Sequence, residues 1–362
     1  MKKIDYALIF IVISLMAIGF LMLSSASIVI AQDISGSPYY YLKHQFLYGF
    51  IFGLLAFFLT FKINYRFWKK IALPILIISF VLVSLVFIKP FGVGFGGAKR
   101  WVNFAGFVFQ PAEILKLSLV IYLAAWLSSK SDKEIKSLSR GFLPFLIIAV
   151  GAGFLLASQP DIGTLSILFA ASLIIFFASG ARIYHVILTV LFSLISLFSL
   201  IKIAPYRLNR LITFLNPQFD PAGISYQINQ ALIAIGSGGF WGLGLGQGRQ
   251  KYYYLPEPTG DSIFAIIAEE LGFVGASTII ALFVLLVWRA FFIAKNANDY
   301  FGKLLACGIG ALIGTQAFIN IGAMVGLFPL TGVPLPFISF GGTSLAMAMA
   351  AIGILINISR YS

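Results

Sequence analysis

The sequence predicts an all-α membrane protein that crosses the bilayer about ten times. Its 362 residues are 60% hydrophobic and only 10% charged, whereas a soluble domain needs roughly 25% charged residues. The apolar residues are gathered in runs of about 20, the length at which a helix spans a bilayer. Helices are expected because lipid offers no water to satisfy an open backbone.

Ten apolar runs account for most of the chain and predict a single polytopic membrane domain over residues 1–362. They lie near residues 6–30, 45–61, 71–88, 111–128, 141–158, 163–180, 185–204, 262–293, 304–326 and 343–358. If the N-terminus is inside, most Lys and Arg residues fall in inner segments, so the positive-inside rule places both termini in the cytoplasm. The net charge of +13 is scattered between apolar runs, which argues against nucleic acid as a partner.

The Lys and Arg residues that fall in outer segments are more informative, because the positive-inside rule disfavours cations on the outer side. They concentrate after the third span and in a long outer loop between spans seven and eight, residues 205–261. A loop of this length is usually functional. It is rich in Gly, Pro and aromatic residues, which predicts an ordered and partly re-entrant loop. Residues 224–235 within it form a short amphipathic helix in this interpretation.

Two charged residues begin the fourth span. Glu113 and Lys116 are three residues apart and therefore face the same side of a helix. Ionisable residues at membrane depth face a cavity or each other. Two interpretations follow: a structural ion pair, or a polar cleft that opens outward with Arg100 at its mouth and Lys116 inside. Trp101 by itself is more often an interfacial anchor than a substrate contact.

Two aspartates stand where helices are predicted to begin. Asp161 follows a tight turn, where capping the next helix is commoner than a substrate role. Asp261 joins the long loop to the eighth span, and cap and catalyst are equally good interpretations of it. Glu269 and Glu270 lie about two turns further on, where at least one of them needs a partner or water.

Two glycine-rich runs complete the candidates. Residues 236–248 match neither the dinucleotide fingerprint nor the P-loop, so they serve close backbone packing or bring amides to a phosphate. Residues 328–342 combine Pro and Gly at membrane depth, which predicts a broken, re-entrant segment. His44 and His185 fall at opposite helix ends, which excludes a histidine metal cluster and a Ser-His-Asp triad.

At these motifs the chain resembles the SEDS family (shape, elongation, division and sporulation proteins), which polymerise peptidoglycan strands. The resemblance covers nearly the whole chain, and within the family the segment 246–257 is more similar to FtsW, the division member, than to RodA, the elongation member. It rests on Lys99-Arg100-Trp101, Gln110-Pro111-Ala112-Glu113 with Lys116, Gln159-Pro160-Asp161-Ile162-Gly163, Tyr226-Gln227, 234–239, Leu255-Pro256-Glu257 with Asp261, and 334–339.

The resemblance implies a ten-helix fold and a glycosyltransferase of the bacterial cytoplasmic membrane. It implies lipid II and a polyprenyl-pyrophosphate-linked glycan as substrates, Mg²⁺ or another divalent cation as an assistant, and no organic cofactor. The implied partners are a class B penicillin-binding transpeptidase and other division proteins. Asp261 falls on the family's essential aspartate, although many relatives have His-Thr-Asp-Phe or His-Asn-Asp-Phe where this chain has Thr259-Gly260-Asp261-Ser262.

The resulting hypothesis is processive glycosyl transfer with Asp261 as general base on the acceptor's sugar hydroxyl. Cations would stabilise the leaving pyrophosphate. The predicted substrate-binding residues are Arg100, Trp101, Glu113, Lys116, Arg207, Arg210 and Lys251. The alternatives are an elongation-type polymerase, a lipid II flippase or other transporter, and a scaffold for a division transpeptidase. Charges clustered on one face, without an inverted repeat, argue against a transporter, and a scaffold leaves the outer cations unexplained.

Overall fold

The computed structural model describes residues 4–95, 98–203 and 205–361. The described part is mainly helical and includes one small sheet. The helices are α1 (Tyr6–Ala26), α2 (Ile28–Ser35), α3 (Tyr40–Lys62), α4 (Arg66–Lys70), α5 (Ala72–Leu85), α6 (Pro111–Leu127), α7 (Asp132–Ile135), α8 (Leu138–Ser158), α9 (Ile162–Ala178), α10 (Ile183–Ile203), α11 (Pro205–Leu215), α12 (Tyr226–Ser237), α13 (Ile263–Asn296), α14 (Tyr300–Met324) and α15 (Gly342–Tyr361). The strands are β1 (Gly92–Phe95), β2 (Ala98–Phe104) and β3 (Phe107–Phe109).

The protein is a multi-pass membrane protein, as predicted. Within the described residues, six helices are long and apolar enough to cross a membrane: α1, α3, α8, α13, α14 and α15. Three shorter apolar helices, α5, α9 and α10, coincide with further predicted spans, and the 17-residue α6 coincides with the remaining one. Each predicted span therefore corresponds to a helix, while the count of ten crossings stays a prediction.

α14 lies at the centre of the bundle and packs against α6, α9 and α13. Its glycines allow close approach of the neighbouring helices. A Cβ on Gly308 would lie 2.6 Å from Ile175 of α9 and 2.7 Å from Val120 of α6, and a Cβ on Gly310 would lie 2.7 Å from Ala290 of α13. Small residues at such interfaces are how helices associate in lipid, where no hydrophobic driving force acts between them.

A three-stranded antiparallel sheet between α5 and α6 was not predicted. Its order is β1-β2-β3, with Val93 opposite Trp101 and Val102 opposite Phe109. The turn between β2 and β3 has positive φ at Ala105 (51°) and Gly106 (90°), which matches the twist of a two-residue hairpin. The sheet adds a small β element to the predicted all-α fold and carries the Arg100-Trp101 pair.

The long loop between α10 and α13 is ordered and contains two helices. The predicted amphipathic segment forms α12, and α11 was not foreseen. The predicted eighth span is α13, which is interrupted at Gly272 (φ 65°, ψ −165°). A Cβ on Gly272 would lie 2.2 Å from the backbone nitrogen of Gly242, so the interruption lets the glycine-rich run approach the helix closely.

Residues 325–341, called the broken segment below, connect α14 to α15 without a regular helix. Leu335, Phe337 and Ile338 are buried within the bundle. This confirms the prediction that Pro and Gly interrupt the helices here. Irregular backbone at this depth is tolerated because it is covered by protein.

Candidate active site

Asp261 lies two residues before the start of α13 and does not cap this helix. The N-cap residue is Ser262, and no side-chain cap bond forms there. The Asp261 carboxylate accepts a long 3.5 Å contact from Ser262 Oγ, and its side chain is half-buried. Of the two interpretations of this aspartate, the capping one is therefore excluded, and the catalytic one stays a prediction.

The pKa of Asp261 is raised from its ordinary range to about 6. Burial is the main cause, the negative charge of Glu257 adds to it, and the positive charge of Arg210 opposes it. A carboxylate with a pKa near the operating pH is well suited to general base catalysis, because it is ionised and still basic enough to take a proton.

The broken segment holds the Asp261 loop in place. Ser339 Oγ donates to Gly260 O at 2.7 Å, and Phe340 N donates to Thr259 O at 2.8 Å. A Cβ on Gly332, which has φ +70°, would lie 3.9 Å from Asp261 Oδ2. The carboxylate therefore lies directly over this part of the broken segment.

A buried amide on α14 fixes this arrangement. Asn320 Nδ2 donates to Asp261 O and to Val333 O, both at 2.8 Å. One turn earlier, Gln316 Nε2 donates to Pro334 O at 2.8 Å. Neither amide was singled out from the sequence, although two amides four residues apart on an apolar helix are a signal of buried polar contacts.

Arg210, predicted to bind substrate, reaches the same segment from α11. Its Nη1 donates to Leu330 O at 3.0 Å, and its charge lowers the pKa of Asp261. Arg210 and Asp261 therefore lie beside the same part of the broken segment, and the substrate role of Arg210 stays a prediction. The side chain of Arg207, on the same helix, lies outside the described residues, so its role stays a prediction.

Arg100 lies on β2 and contacts the turn before α9. Its Nη2 donates to Pro160 O at 2.5 Å and its Nε to Gln159 O at 3.4 Å. A guanidinium has five N–H donors, so part of its capacity is left for a ligand. Trp101 is half-buried beside it in the sheet, and its substrate role stays a prediction.

The Asp161 turn packs on the broken segment from the other side. Asp161 Oδ1 accepts from Thr164 N at 3.1 Å, which confirms the capping interpretation. A Cβ on Gly163 would lie 2.4 Å from Val333 and 2.7 Å from Thr331 O. Residues 330–333 of the broken segment therefore lie beside the Asp161 turn, Asp261 and Arg210.

Glu113 and Lys116 form the predicted ion pair, with 2.8 Å between Lys116 Nζ and Glu113 Oε1. Lys116 also donates to Gln316 Oε1 at 2.6 Å. Both charged side chains are less than 5% exposed, and they line a cavity of about 20 Å³, which is room for about one water. Within the described residues, Lys116 is therefore enclosed and does not line the predicted outward-opening cleft, because α14 and α15 cover the pair.

Lys251 differs most from its predicted role. Its ammonium donates to Glu270 Oε1 at 2.8 Å, to Gly246 O at 2.7 Å and to Ser25 Oγ at 3.0 Å. An ammonium has three donors, so none remains for a substrate phosphate. The side chain is 1% exposed, and the structure assigns it to an anchor of the loop, not to substrate binding.

The backbone amides of the glycine-rich run bind carboxylates of the protein itself, and not a phosphate, in this structure. Arg249 N donates to Glu269 Oε1 at 2.8 Å, and Gly246 N donates to Glu270 Oε2 at 2.9 Å. The predicted need of Glu269 and Glu270 for partners is confirmed. We call Ser25, Lys251, Glu269, Glu270 and the amides of residues 246–250 the loop anchor.

A divalent cation held by Asp261 and Glu257 would need further ligands from a substrate. The described residues contain no group of three or more His, Cys, Asp or Glu side chains that could hold a metal. Mg²⁺ is commonly bound by one or two carboxylates plus substrate phosphates, and Asp261 with the nearby Glu257 could supply that many. Mg²⁺ assistance stays a prediction.

Three comparisons relate the chain to known proteins. Residues 6–362 match the Cell cycle protein family that comprises FtsW, RodA and SpoVE. Stage V sporulation protein E of Bacillus subtilis is 42% identical over 358 residues, 99% of this chain and 97% of that protein. A probable peptidoglycan glycosyltransferase FtsW of Trichlorobacter lovleyi is 40% identical, over 99% of this chain and 94% of that protein.

Solved structures agree with this assignment. One chain from a peptidoglycan synthase complex that coordinates polymerization and crosslinking has a TM-score of 0.79 at 26% identity, covering 99% of this chain and 98% of that chain. The rod shape determining protein RodA of Thermus thermophilus has a TM-score of 0.72 at 27% identity, covering 99% and 97%.

Proposed function

Because the chain belongs to the FtsW, RodA and SpoVE family of cell cycle proteins, we propose that it is a peptidoglycan glycosyltransferase. It polymerises lipid II into glycan strands on the outer face of the bacterial cytoplasmic membrane during cell division. The observation that carries this proposal is the Asp261 carboxylate, which caps no helix, has a raised pKa and is close to Arg210. The names of the FtsW relatives support the activity.

In the proposed reaction, the growing glycan on its polyprenyl pyrophosphate is the donor, and lipid II is the acceptor. Asp261 removes the proton from the acceptor's sugar 4-hydroxyl as its oxygen bonds to the donor's anomeric carbon. The bond from that carbon to the pyrophosphate oxygen breaks, and the configuration inverts. A positioned carboxylate contributes about 10²–10⁴-fold to such a step.

The leaving pyrophosphate gathers negative charge, which the cations around the broken segment oppose. Arg210 contacts the broken segment beside Asp261, and Arg100, which contacts the neighbouring Asp161 turn from β2, retains donors for a phosphate. Arg207 on α11 is a further candidate. Lys116 has a positioning role in this proposal, because it binds Gln316 Oε1 while Gln316 Nε2 donates to Pro334 O of the broken segment. Mg²⁺, when bound, would neutralise part of the pyrophosphate charge.

The proposed setting follows from lipid-linked substrates. Both termini lie in the cytoplasm, and Asp261 lies at the outer end of the bundle, where the lipid headgroups are. A class B penicillin-binding transpeptidase is the proposed partner, with other division proteins around it. The likeness to a chain from a peptidoglycan synthase complex supports a partner of this kind.

The experiment is polymerisation of labelled lipid II by the purified protein in detergent, where flipping has no meaning, with Mg²⁺ and a transpeptidase partner present. We expect glycan polymer from the wild type and a loss of about 100-fold or more for Asp261→Asn. Asp220→Asn, in the same loop, is the matched control and should polymerise normally. Absence of polymer from the wild type, with lipid II translocation in vesicles, would replace the proposal with a transporter.

A further inference from the structure

A second cavity, separate from the active site, lies between the first part of α3 and the last part of α1. It has a volume of about 540 Å³ and is lined by Phe20, Ser24, Leu42, Lys43, Phe46 and Leu47. Pockets for small organic ligands usually have about 300–1,000 Å³. The cavity is open on one side, so a ligand can enter it laterally from the bilayer. We call it the α1–α3 groove.

The lining of the groove is amphiphilic. Phe20 and Phe46 meet edge to face with 6.3 Å between ring centroids, and Leu47 is half exposed. The single charged lining residue is Lys43, which forms no ion pair within the described residues. Ser24 adds a hydroxyl, which donates to Leu21 O and keeps its acceptor capacity. An apolar wall with one free cation is complementary to a single-chain lipid with an anionic head.

Lys43 is also on the side of the membrane where cations are disfavoured. It lies in the first turn of α3, and Lys62 ends the same helix at the opposite side. In the proposed topology Lys43 is therefore at the outer headgroup level, where the positive-inside rule gives it no role in orientation. A role in pairing with a lipid phosphate explains its position.

The opposite face of α3 contacts the broken segment, which in turn holds the loop that carries Asp261. The ring of Tyr41 meets Phe340 at 4.9 Å, and Gln45 both donates to Ser339 O and accepts from Gly341 N. Ser339 in turn holds Gly260 O. One helix, about 10 Å across, therefore separates the groove from the active site.

We propose that the α1–α3 groove binds a polyprenyl phosphate or pyrophosphate, with the isoprenoid chain against Phe20, Phe46 and Leu47 and the phosphate on Lys43. The site deepens the proposed function, because the reaction releases a lipid of this class one helix away. Six lining residues form too small a surface for a protein partner, which needs about 800 Å² on each side. An ordinary two-chain anionic lipid is the alternative occupant, and the experiment separates the two.

The test uses a polyprenyl phosphate with a diazirine in its isoprenoid chain, added to the full-length protein in nanodiscs and crosslinked by light. We expect adducts on Phe46, Leu47 or Phe20, mapped by mass spectrometry. Excess unlabelled polyprenyl phosphate should abolish them, and an equal amount of phosphatidylglycerol should not. Adducts that are spread over the bundle, or equal competition by phosphatidylglycerol, would overturn the proposal.

Matched variants test the two parts of the groove. Lys43→Gln should weaken labelling about fivefold, the effect of one cation at a membrane surface, whereas Lys62→Gln on the same helix should not change it. Leu47→Trp fills the groove and should block labelling, whereas Leu55→Trp, an exposed position two turns further along α3, should not. Unchanged labelling in both groove variants would contradict the proposal.

The labelling does not depend on catalysis. Asp261→Asn should keep full labelling even if it polymerises nothing. Loss of polymerisation without loss of labelling supports both proposals. Normal polymerisation by Asp261→Asn would refute the catalytic proposal alone, and the labelling would still decide the groove.

Discussion

The loop anchor and the active site are both buried polar clusters, and they differ in how completely their hydrogen bonds are satisfied. In the loop anchor, Lys251 uses all three donors, and both glutamates accept from backbone amides. Around the broken segment, Asp161 Oδ2 and Asn320 Oδ1 are buried and have no hydrogen-bond partner within the described residues. Buried polar groups are normally paired. We infer that the hydrogen bonds of the loop anchor serve the fold, and that the unpaired oxygens beside the broken segment leave hydrogen-bonding capacity for a ligand.

The largest expected effect distinguishes the active site from the loop anchor, because a variant of the active site should lose activity and keep its stability. Asp261→Asn should reduce lipid II polymerisation about 100-fold or more and leave the thermal unfolding temperature unchanged or higher, because it removes a desolvated charge. Polymerisation assays and thermal unfolding of the same preparations measure both quantities. A large fall in unfolding temperature for Asp261→Asn would show that its role is structural.

A variant of the loop anchor should show the opposite behaviour, which is a loss of stability. Lys251→Met leaves Glu270 buried without a cation, which should cost about 3–5 kcal/mol of stability. The unfolding temperature should fall by several degrees. The double variant Lys251→Met with Glu270→Leu should recover much of this loss, because no unpaired charge remains. A single variant as stable as the wild type would contradict the structural role of Lys251.

This contrast also explains which site residues could be predicted from the sequence. Asp261, Asp161 and the Glu113–Lys116 pair were recognisable because a charged residue beside or inside an apolar run must have a reason. Lys251 is a cation in the same long loop as Arg210, so its charge and its place in the sequence do not distinguish it from a substrate-binding residue. Its different role depends on Ser25 and Glu270, which are distant in sequence, so the sequence pattern could not reveal it.

The fold was predictable where length and apolar composition decide it. Each of the ten apolar runs corresponds to a helix in the structure, and the Pro- and Gly-rich run corresponds to the broken segment. The sheet was missed because its strands are short and lie in a glycine-rich loop, although Ala105-Gly106 is a turn signal. α11 was missed because its apolar residues are too few for a span. The interruption at Gly272 depends on contact with Gly242, which no local pattern encodes.

A smaller effect is expected from the amide that joins Asp261 to the broken segment. Asn320→Leu removes two hydrogen bonds of 2.8 Å and should lower the kcat of polymerisation about 10- to 100-fold with little change in KM, because a small misplacement of the base is costly. Asn320→Gln should restore part of the rate.

Asn357→Leu is the matched control for this variant. Asn357 is also buried and also bridges two backbone groups, since it donates to Phe61 O and accepts from Tyr65 N. Both variants should lose stability, but only Asn320→Leu should lose rate per folded molecule. Equal kcat values for the two would show that Asn320 does not position Asp261.

The smallest effect concerns the charges around Asp261. Glu257 raises the pKa of Asp261 and Arg210 lowers it. Glu257→Gln should therefore move the acidic limb of the pH–rate profile to lower pH, by a few tenths of a unit, since an exposed charge acts weakly. Arg210→Gln should move it to higher pH. Shifts of the opposite sign would mean that the limb belongs to another group.

The most direct test of the central claim is the pH dependence of single-turnover glycosyl transfer by the wild-type protein between pH 5 and 8. Asp261 must be ionised to accept a proton, and its pKa is about 6. The rate should therefore be constant above neutrality and fall tenfold per pH unit well below pH 6. A rate that stays constant down to pH 5 would contradict the assignment of Asp261 as the general base.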